Sequence, residues 1–307
     1  MTRRILALAP LATAGWLLAA GAAAQGLPIP GFANTGSALP VAIEADQGVE
    51  WRQNEQVYIA RGNATAKRGE TTIRADALYA HYRKTQDNRQ EIYKITAEGA
   101  VKITTPKETI TSDTAEYLVE TSVFTLKGRP VKIDSGKSTL TAALVVYNSK
   151  SKVATVTGGA QVVEDKKRVR ADRFIAFFKE EGGKQSLKRV EALGNVVITT
   201  PTEIARGNRG DYDAESQVAT LSGNVRLTRG DNQLNGDRAE VNMKTGVSKL
   251  LADDGPSSVS RTNPAQGRRV RVLLMPGQAD SGKGPLDIPT PGAENKGTGR
   301  TDQKPKR

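Results

Sequence analysis

The sequence predicts an all-β protein, an elongated stack of antiparallel strands that curls into a roll. The first observation behind this prediction is a pair of strand-like segments, each alternating with period two, that recurs six times. The second is that no stretch of the 307-residue chain keeps a helical period. The third is a hydrophobic fraction of 37%, below the roughly 45–50% of ordinary globular domains. A low hydrophobic fraction is expected of a roll that grows in one dimension, because its core is thin.

The N-terminal segment has the layout of a secretory signal peptide. Residues 1–4 are basic, residues 5–20 are almost entirely apolar, and Ala22 and Ala24 place small side chains at −3 and −1. We therefore expect cleavage after Ala24, so that residues 1–24 are removed, and a linker over residues 25–39. An uncleaved membrane anchor is the alternative, because the apolar run is long enough to span a bilayer.

The first strand of each repeat starts at a glycine and continues with alternating apolar residues. Such glycines are expected at bulges or at positive-φ entries to strands. The six copies start at Gly62, Gly99, Gly128, Gly158, Gly194 and Gly223.

The second strand of each repeat reads apolar-x-small-Asp and ends in an aromatic or apolar residue. Five of the six steps from the glycine to the Asp position are 14 residues and one is 15. Repeated acids of this kind more often cap turns than act in catalysis, so we expect a structural role for them. The Asp position is occupied by Asp76, Asp113, Asp172 and Asp237, and by Ala143 and Asn208 in the other two copies.

Alternation of side chains assigns one face of these strands to the interior. Counting in twos from the glycines, and along the second strands, yields seven inward positions: Val101, Ile103, Tyr117, Val119, Phe124, Val196 and Ile198. Two interpretations remain open for this face. It forms either a tightly packed core or an apolar interior that stays partly open and holds acyl chains.

The sequence offers no positive support for an enzyme. Without cysteine, and with His81 as its one histidine, it lacks thiolate metal sites, cysteine nucleophiles and His-rich sites. No nucleophile elbow, phosphate-binding loop, dinucleotide fingerprint or metal-ligand spacing is present. We therefore expect no catalytic residues, no metal and no cofactor.

The positive charge is concentrated at the ends of the chain. The net charge is +12, but residues 255–307 hold ten Lys and Arg against four Asp and Glu. From residue 277 the chain is rich in Pro, Gly and charge, which predicts a disordered basic tail over residues 277–307. A nearly neutral body does not indicate nucleic-acid binding. The tail is either simply solvated or contacts an anionic surface or partner.

The repeats resemble those of the LptA/OstA-like family of periplasmic lipopolysaccharide-transport proteins. The resemblance runs from the segment Pro-Val-Ala-Ile-Glu-Ala-Asp at residues 40–46, through all six units, to Arg-Val-Arg-Val-Leu-Leu-Met-Pro at residues 269–276. It implies a domain over residues 40–276 with the fold of a twisted β-jellyroll, V-shaped in cross-section, around an apolar channel. Two features depart from the family pattern: the additional units around residues 158–241 and the long basic tail.

The resemblance also implies a function and partners. Family members carry lipopolysaccharide, with its lipid A acyl chains sheltered inside, from an inner-membrane complex to an outer-membrane translocon. It implies an LptC-like protein at the N-terminal edge, an LptD-like translocon at the C-terminal edge and head-to-tail self-association. It adds Val41 and Ile43 of the first strand to the lipid-contacting positions, and it supports Ile103, Tyr117 and Val119.

Three other functions compete with this interpretation. An anchored LptC-like component of the same machine would keep its N-terminal helix and have a single shorter jellyroll. A structural or adhesive β-solenoid would have a dry core. A polysaccharide-acting β-helix enzyme would need acids and arginines clustered on one exposed face, which the Asp positions do not clearly provide.

Overall fold

The computed structural model describes residues 41–181, 184–242, 245, 247–251 and 271–273. These residues form eighteen β-strands, and no helix occurs among them. The strands are β1 (Ala42–Glu44), β2 (Val49–Arg52), β3 (Val57–Arg68), β4 (Thr71–Lys84), β5 (Gln90–Thr104), β6 (Thr109–Leu118), β7 (Val123–Asp134), β8 (Ser138–Asn148), β9 (Val153–Thr157), β10 (Gln161–Glu164), β11 (Lys167–Arg170), β12 (Arg173–Glu181), β13 (Lys184–Thr199), β14 (Ile204–Asp213), β15 (Val218–Arg229), β16 (Asn232–Asn242), β17 (Val247–Leu251) and β18 (Arg271–Leu273).

All pairings among the described strands are antiparallel. The long strands β3 to β8 and β13 to β16 form two meanders, each strand bonded to the next. Between them, β9 and β10 act as two halves of one strand, as do β11 and β12. At the two ends, β1 and β2 pair with the two halves of β3, and β17 and β18 with the two halves of β16. The all-β, antiparallel prediction is confirmed.

A line of β-bulges divides each long strand into two halves; we call this line the crease. In the β4–β5 ladder the register shifts between Arg74 and Ala77, and equivalent shifts occur in the other long ladders. Gly99 and Gly194 lie on the crease with φ of 76° and 75°. An extra residue at each bulge bends the strand and increases its twist. The glycines therefore mark bulges, as predicted.

The repeated Asp residues lie on the crease, where Asp76 and Asp172 have a structural role. Each contacts the glycine of the following unit. A Cβ placed on Gly99 would lie 2.0 Å from Oδ2 of Asp76, and one on Gly194 would lie 2.2 Å from Oδ2 of Asp172. The fixed spacing along the chain places each acid on the crease: Asp76 lies opposite Gly62 of its own unit in the β3–β4 ladder and also contacts Gly99 of the next unit.

The residue after most of the crease glycines also has a left-handed backbone. Asn63 and Asn195 have φ of 46°, and their Nδ2 atoms donate to Oδ2 of Asp46 at 2.7 Å and of Asp172 at 2.8 Å. Asparagine tolerates this conformation better than most side chains. Ala100 occupies the same position in β5 with φ of 43°.

Several sequence-based predictions lie outside the described residues. The signal peptide (1–24), the linker (25–39) and the basic tail (277–307) are among them. The limits of the 40–276 domain therefore stay predictions, although β18 coincides with the last strand expected from the sequence. Within the described ranges, no helix has the length and apolar character needed to cross a bilayer.

Candidate functional site

The inward side chains form rows that cross the sheet in register, because directly paired residues point to the same face. The first inward row crosses the half-sheet that lies between the crease and the β3–β4, β5–β6 and β7–β8 turns. Its members pair successively from one strand to the next and are almost all aliphatic: Ile43, Ala66, Ile73, Ile103, Ile110, Ile133, Leu140, Val162, Val169, Ile198, Ala205, Leu227 and Leu234.

Two further inward rows cross the other half-sheet. The second row is made of small and branched side chains: Val49, Ala60, Leu78, Ala97, Ala115, Leu126, Val145, Val156, Phe174, Ala192, Gly210, Leu221, Ala239 and Leu250. The third row contains six of the seven aromatic side chains found in the three rows: Trp51, Tyr58, Ala80, Ile95, Tyr117, Phe124, Tyr147, Ala154, Ala176, Val190, Tyr212, Ala219 and Val241.

The residues predicted to face the interior do so, and most are fully buried. Six of them have between 0% and 7% of their surface exposed and belong to one hydrophobic cluster that both half-sheets share: Val101, Ile103, Tyr117, Phe124, Val196 and Ile198. Val119 follows β6 and packs against that cluster while partly exposed. Burial alone is compatible with both interpretations of the interior, so lipid contact at these positions stays a prediction.

The N-terminal end of the rows is exposed. Ile43 pairs with Ala66 and is therefore inward, yet 45% of its surface is exposed, and Val41 before it is 44% exposed. Trp51, at 50% exposure, stacks on Tyr58 with ring centroids 5.7 Å apart and donates from Nε1 to the Tyr82 hydroxyl at 2.8 Å. Apolar and aromatic side chains thus end the inward rows at this edge.

A polar row follows the first inward row at the turns, and we call it the lip. Each of its members lies two residues along the chain from a member of the first inward row and so belongs to the same face. They are Arg68, Glu108, Ser138, Glu164, Lys167 and Glu203. Sequence reasoning missed them, although the repeated Thr-Pro-x-Glu at residues 105–108 and 200–203 is a signal that could have found two. In both copies the Thr and Glu backbones close a turn, with Glu N donating to Thr Oγ1 at 3.1 and 3.0 Å.

Glu108 is the most perturbed acid of the lip. Only 5% of its surface is exposed, and its Oε2 has no hydrogen-bond partner. Burial raises the pKa of Glu108 to about 8, and the nearby Lys107 lowers it only partly. Burial also raises the pKa of Glu203 and of Glu164, which face Arg229 and Lys167 respectively. A carboxyl in this position is kept neutral by desolvation.

Other features of the described residues do not form a chemical centre. No group of His, Asp or Glu side chains in the part of the chain that the structure describes is arranged to hold a metal ion. A polar depression of about 400 Å³ lies beside the crease at the N-terminal end, lined by Gln47, Arg61, Asn63 and Asp76. It contains none of the predicted inward positions.

Comparison with known proteins identifies the family. The family described as LptA/(LptD N-terminal domain) LPS transport protein matches residues 42–153 and 141–247. The two matches overlap and together cover residues 42–247, more than half of the 307-residue chain. The chain therefore belongs to this family of lipopolysaccharide-transport proteins and takes part in lipopolysaccharide transport. The resemblance found in the repeats is confirmed.

Among solved structures, one likeness is to LptH, the LptA homologous periplasmic component of the lipopolysaccharide transport device from Pseudomonas aeruginosa. The two chains are 11% identical, with 77% of this chain and 96% of that chain covered and a TM-score of 0.20. At that score the likeness supports no statement about individual residues. A search of curated proteins found no match.

Proposed function

We propose that this protein is a periplasmic bridge that binds lipopolysaccharide and carries it from an inner-membrane complex to an outer-membrane translocon. The observation that carries the proposal is the continuity of the apolar inward rows, which cross every strand from β1 and β2 to β16 in register. Each methylene sheltered from water is worth about 0.8 kcal/mol, so one acyl chain gains roughly 10 kcal/mol from such an interior.

The edges at both ends support the end-to-end part of the proposal. Among the described strands, β1, β2, β17 and β18 each have one partner. A strand with an unpaired side is a template for another strand, and a heterologous contact of this kind extends rather than closes. We place an LptC-like partner at the β1 and β2 edge and an LptD-like translocon at the β17 and β18 edge. A second copy of the chain would use both edges.

Entry of an acyl chain requires movement, because the inward residues pack against one another. Ile103 and Val196 each have 0% of their surface exposed. The crease is the natural hinge, since the ladder bonds are interrupted there while each half-sheet keeps its own pairing. The exposed inward residues Ile43 and Val49 are the positions from which a chain would start to separate the two half-sheets.

Site-specific photocrosslinking in cells tests the proposal. A photoreactive residue at Ile43, Ile103 or Tyr117 should give lipopolysaccharide adducts, whereas the adjacent outward positions Glu44, Lys102 and Glu116 should not. Ile43 is included because it is half exposed and tolerates a bulky residue even if Ile103 does not. Folded variants that give no adduct at any inward position would refute the carrier.

The burial of inward residues such as Ile103 and Val196 favours a second candidate function, a structural β-solenoid with a dry core. That candidate predicts no adduct at Ile43 and no change in adduct yield between inward and outward positions. The same experiment therefore separates the two functions.

A further inference from the structure

The lip contains a compact set of polar groups, two of which have a buried carboxyl oxygen without a hydrogen-bond partner among the described residues. Glu108 follows the β5–β6 turn and lies two residues before Ile110 of the first inward row. Ser138, with 3% of its surface exposed, pairs directly with Glu164 across β8 and β10. The set spans β6, β7, β8 and β10, so at about 4.8 Å per strand it extends over roughly 14 Å.

Within this set the unpaired atoms are two carboxyl oxygens, whereas the serine hydroxyls are hydrogen-bonded. Oε2 of Glu108 and Oε2 of Glu164 are buried without a hydrogen-bond partner. The Oγ atoms of Ser135 and Ser138 lie 3.1 Å apart and bond chiefly to each other and to their own turn. A buried carboxyl oxygen without a donor costs folding free energy, and such groups are normally paired.

The next row inward is fully apolar. Ile110 and Ile133 of the first inward row are buried and Val162 is 9% exposed. A molecule lying across both rows therefore meets hydrocarbon first and then, one residue spacing further out, hydroxyl and carboxyl groups. Phosphate does not suit the part of the lip between Glu108 and Glu164, because both ends of it are carboxyl groups and Lys167 already lies opposite Glu164. A neutral group that donates and accepts hydrogen bonds does suit it.

We propose that Glu108, Ser135, Ser138 and Glu164 form a subsite for the hydroxyl and amide groups at the head end of acyl chains. This inference rests on the proposed function and names the part of the amphiphile that the lip recognises. The apolar rows take the hydrocarbon, while the N–H or O–H of a hydroxyacyl amide donates to Oε2 of Glu108. Plain ester-linked acyl chains lack these donors, so they leave the acceptor oxygen of the Glu108 carboxyl without a partner.

Binding of two matched amphiphiles to the full-length protein tests the subsite. One is a 3-hydroxytetradecanoyl amide of glucosamine, and the other is the tetradecanoyl ester of the same sugar type. We expect the wild-type protein to prefer the hydroxyacyl amide about tenfold, the effect of one buried hydrogen bond to a carboxyl. Glu108→Gln, which keeps both hydrogen-bonding functions, should retain the preference, and Glu108→Met should reduce it below twofold.

Glu70→Met is the matched control, because Glu70 lies exposed in the equivalent β3–β4 turn at the same edge. It should leave the preference unchanged. Equal binding of the two amphiphiles by the wild-type protein, or an unchanged preference in Glu108→Met, overturns the subsite and leaves the carrier function standing. If neither amphiphile binds, the proposed function fails as well. Thermal unfolding of each variant shows whether it is folded.

Discussion

At the scale of single residues, the crease and the lip depend on side chains in unusual surroundings. The position after most crease glycines has a left-handed backbone, which Asn63, Asn195 and Asn224 adopt with φ between 46° and 52°. Glu108 is unusual in a different way, because its carboxyl is buried without a hydrogen-bond donor. Both features lead to predictions about the free energy of unfolding.

Replacing Ala100 with Asn should stabilise the protein. Ala100 has φ of 43° beside the Asp76 carboxyl, and its counterpart Asn195 donates to Asp172 at 2.8 Å. Relief of the left-handed strain and one added hydrogen bond should raise the free energy of unfolding by about 1 kcal/mol. Urea unfolding measures this change, and Asn195→Ala should lower the free energy of unfolding by a similar amount. A decrease for Ala100→Asn would contradict this account of the crease.

Glu108 should make the protein less stable as pH rises. Its folded pKa of about 8 lies above the ordinary value of 4.5, so the folded state binds the proton more tightly than the unfolded chain. That contribution is complete below about pH 4.5 and is lost as pH rises towards 8. Glu108→Gln should therefore gain about 1–3 kcal/mol over the wild type at pH 8 relative to pH 5, which is several degrees of Tm.

Comparing the two proteins at each pH cancels the other lip acids, because Glu164 and Glu203 are present in both. Melting temperatures measured at pH 5, 6.5 and 8 should converge at low pH and separate at high pH. Parallel curves for wild type and Glu108→Gln would mean that Glu108 has an ordinary pKa.

At the scale of elements, successive hairpins are joined at the crease by contact between a glycine and an acid. The absence of a side chain on Gly194 lets Asp172 of the previous hairpin approach, and the Asp172 N–H donates to the Gly194 carbonyl at 3.0 Å. The Ala143 N–H bonds to the Gly158 carbonyl at 2.8 Å in the same way. The glycine is thus required by packing as well as by its φ.

A pair of glycine substitutions separates these two requirements. Gly194→Ala would place a Cβ 2.2 Å from Asp172 at φ of 75°, whereas Gly136→Ala at φ of 78° would meet nothing within 4 Å. Gly136→Ala should lower the free energy of unfolding by about 1 kcal/mol, the cost of a left-handed backbone alone. Gly194→Ala should lower it by about 2–3 kcal/mol more. Urea unfolding of both variants measures the difference, and equal losses would show that the close approach contributes nothing.

At the scale of the whole molecule, the function we propose depends on the ends of the sheet. The inward rows reach β1 and β2 at one end and β16 to β18 at the other, where strands have one partner each among the described residues. The family matches at residues 42–153 and 141–247 are consecutive, so the sheet contains two lengths of the family pattern. A longer sheet extends the apolar inward rows and leaves the edge strands at both ends unchanged.

Deleting residues 270–274, which removes β18, should weaken end-to-end association. The deletion leaves half of β16 without its edge strand, so the surface that a second copy would pair with is changed. Light scattering at increasing protein concentration should show a smaller average mass than for the full chain. Deletion of residues 285–307 is the control and should leave the mass distribution as it is. An unchanged distribution in the first variant would exclude this edge.

Much of the strand pattern followed from the sequence alone. Alternation placed Ile103, Tyr117 and Ile198 on the inward face, because a period of two is fixed by the geometry of an extended chain. The constant glycine-to-acid spacing predicted equivalent units, and the glycines were expected at bulges. The family resemblance, which the family match confirms, also came from these repeats.

Only the tertiary structure decided which residues of different hairpins meet. Spacing along the chain linked Gly62 to Asp76, which lie opposite each other in the β3–β4 ladder, but only the pairing of β4 with β5 shows that Asp76 also meets Gly99 of the next unit. The lip was hidden for the same reason: Glu108 and Ser138 belong to ordinary polar turns in the sequence. They become buried neighbours of an apolar row only when the ladder register aligns their strands. Local periodicity thus determines the face of a residue, and long-range register determines its partners.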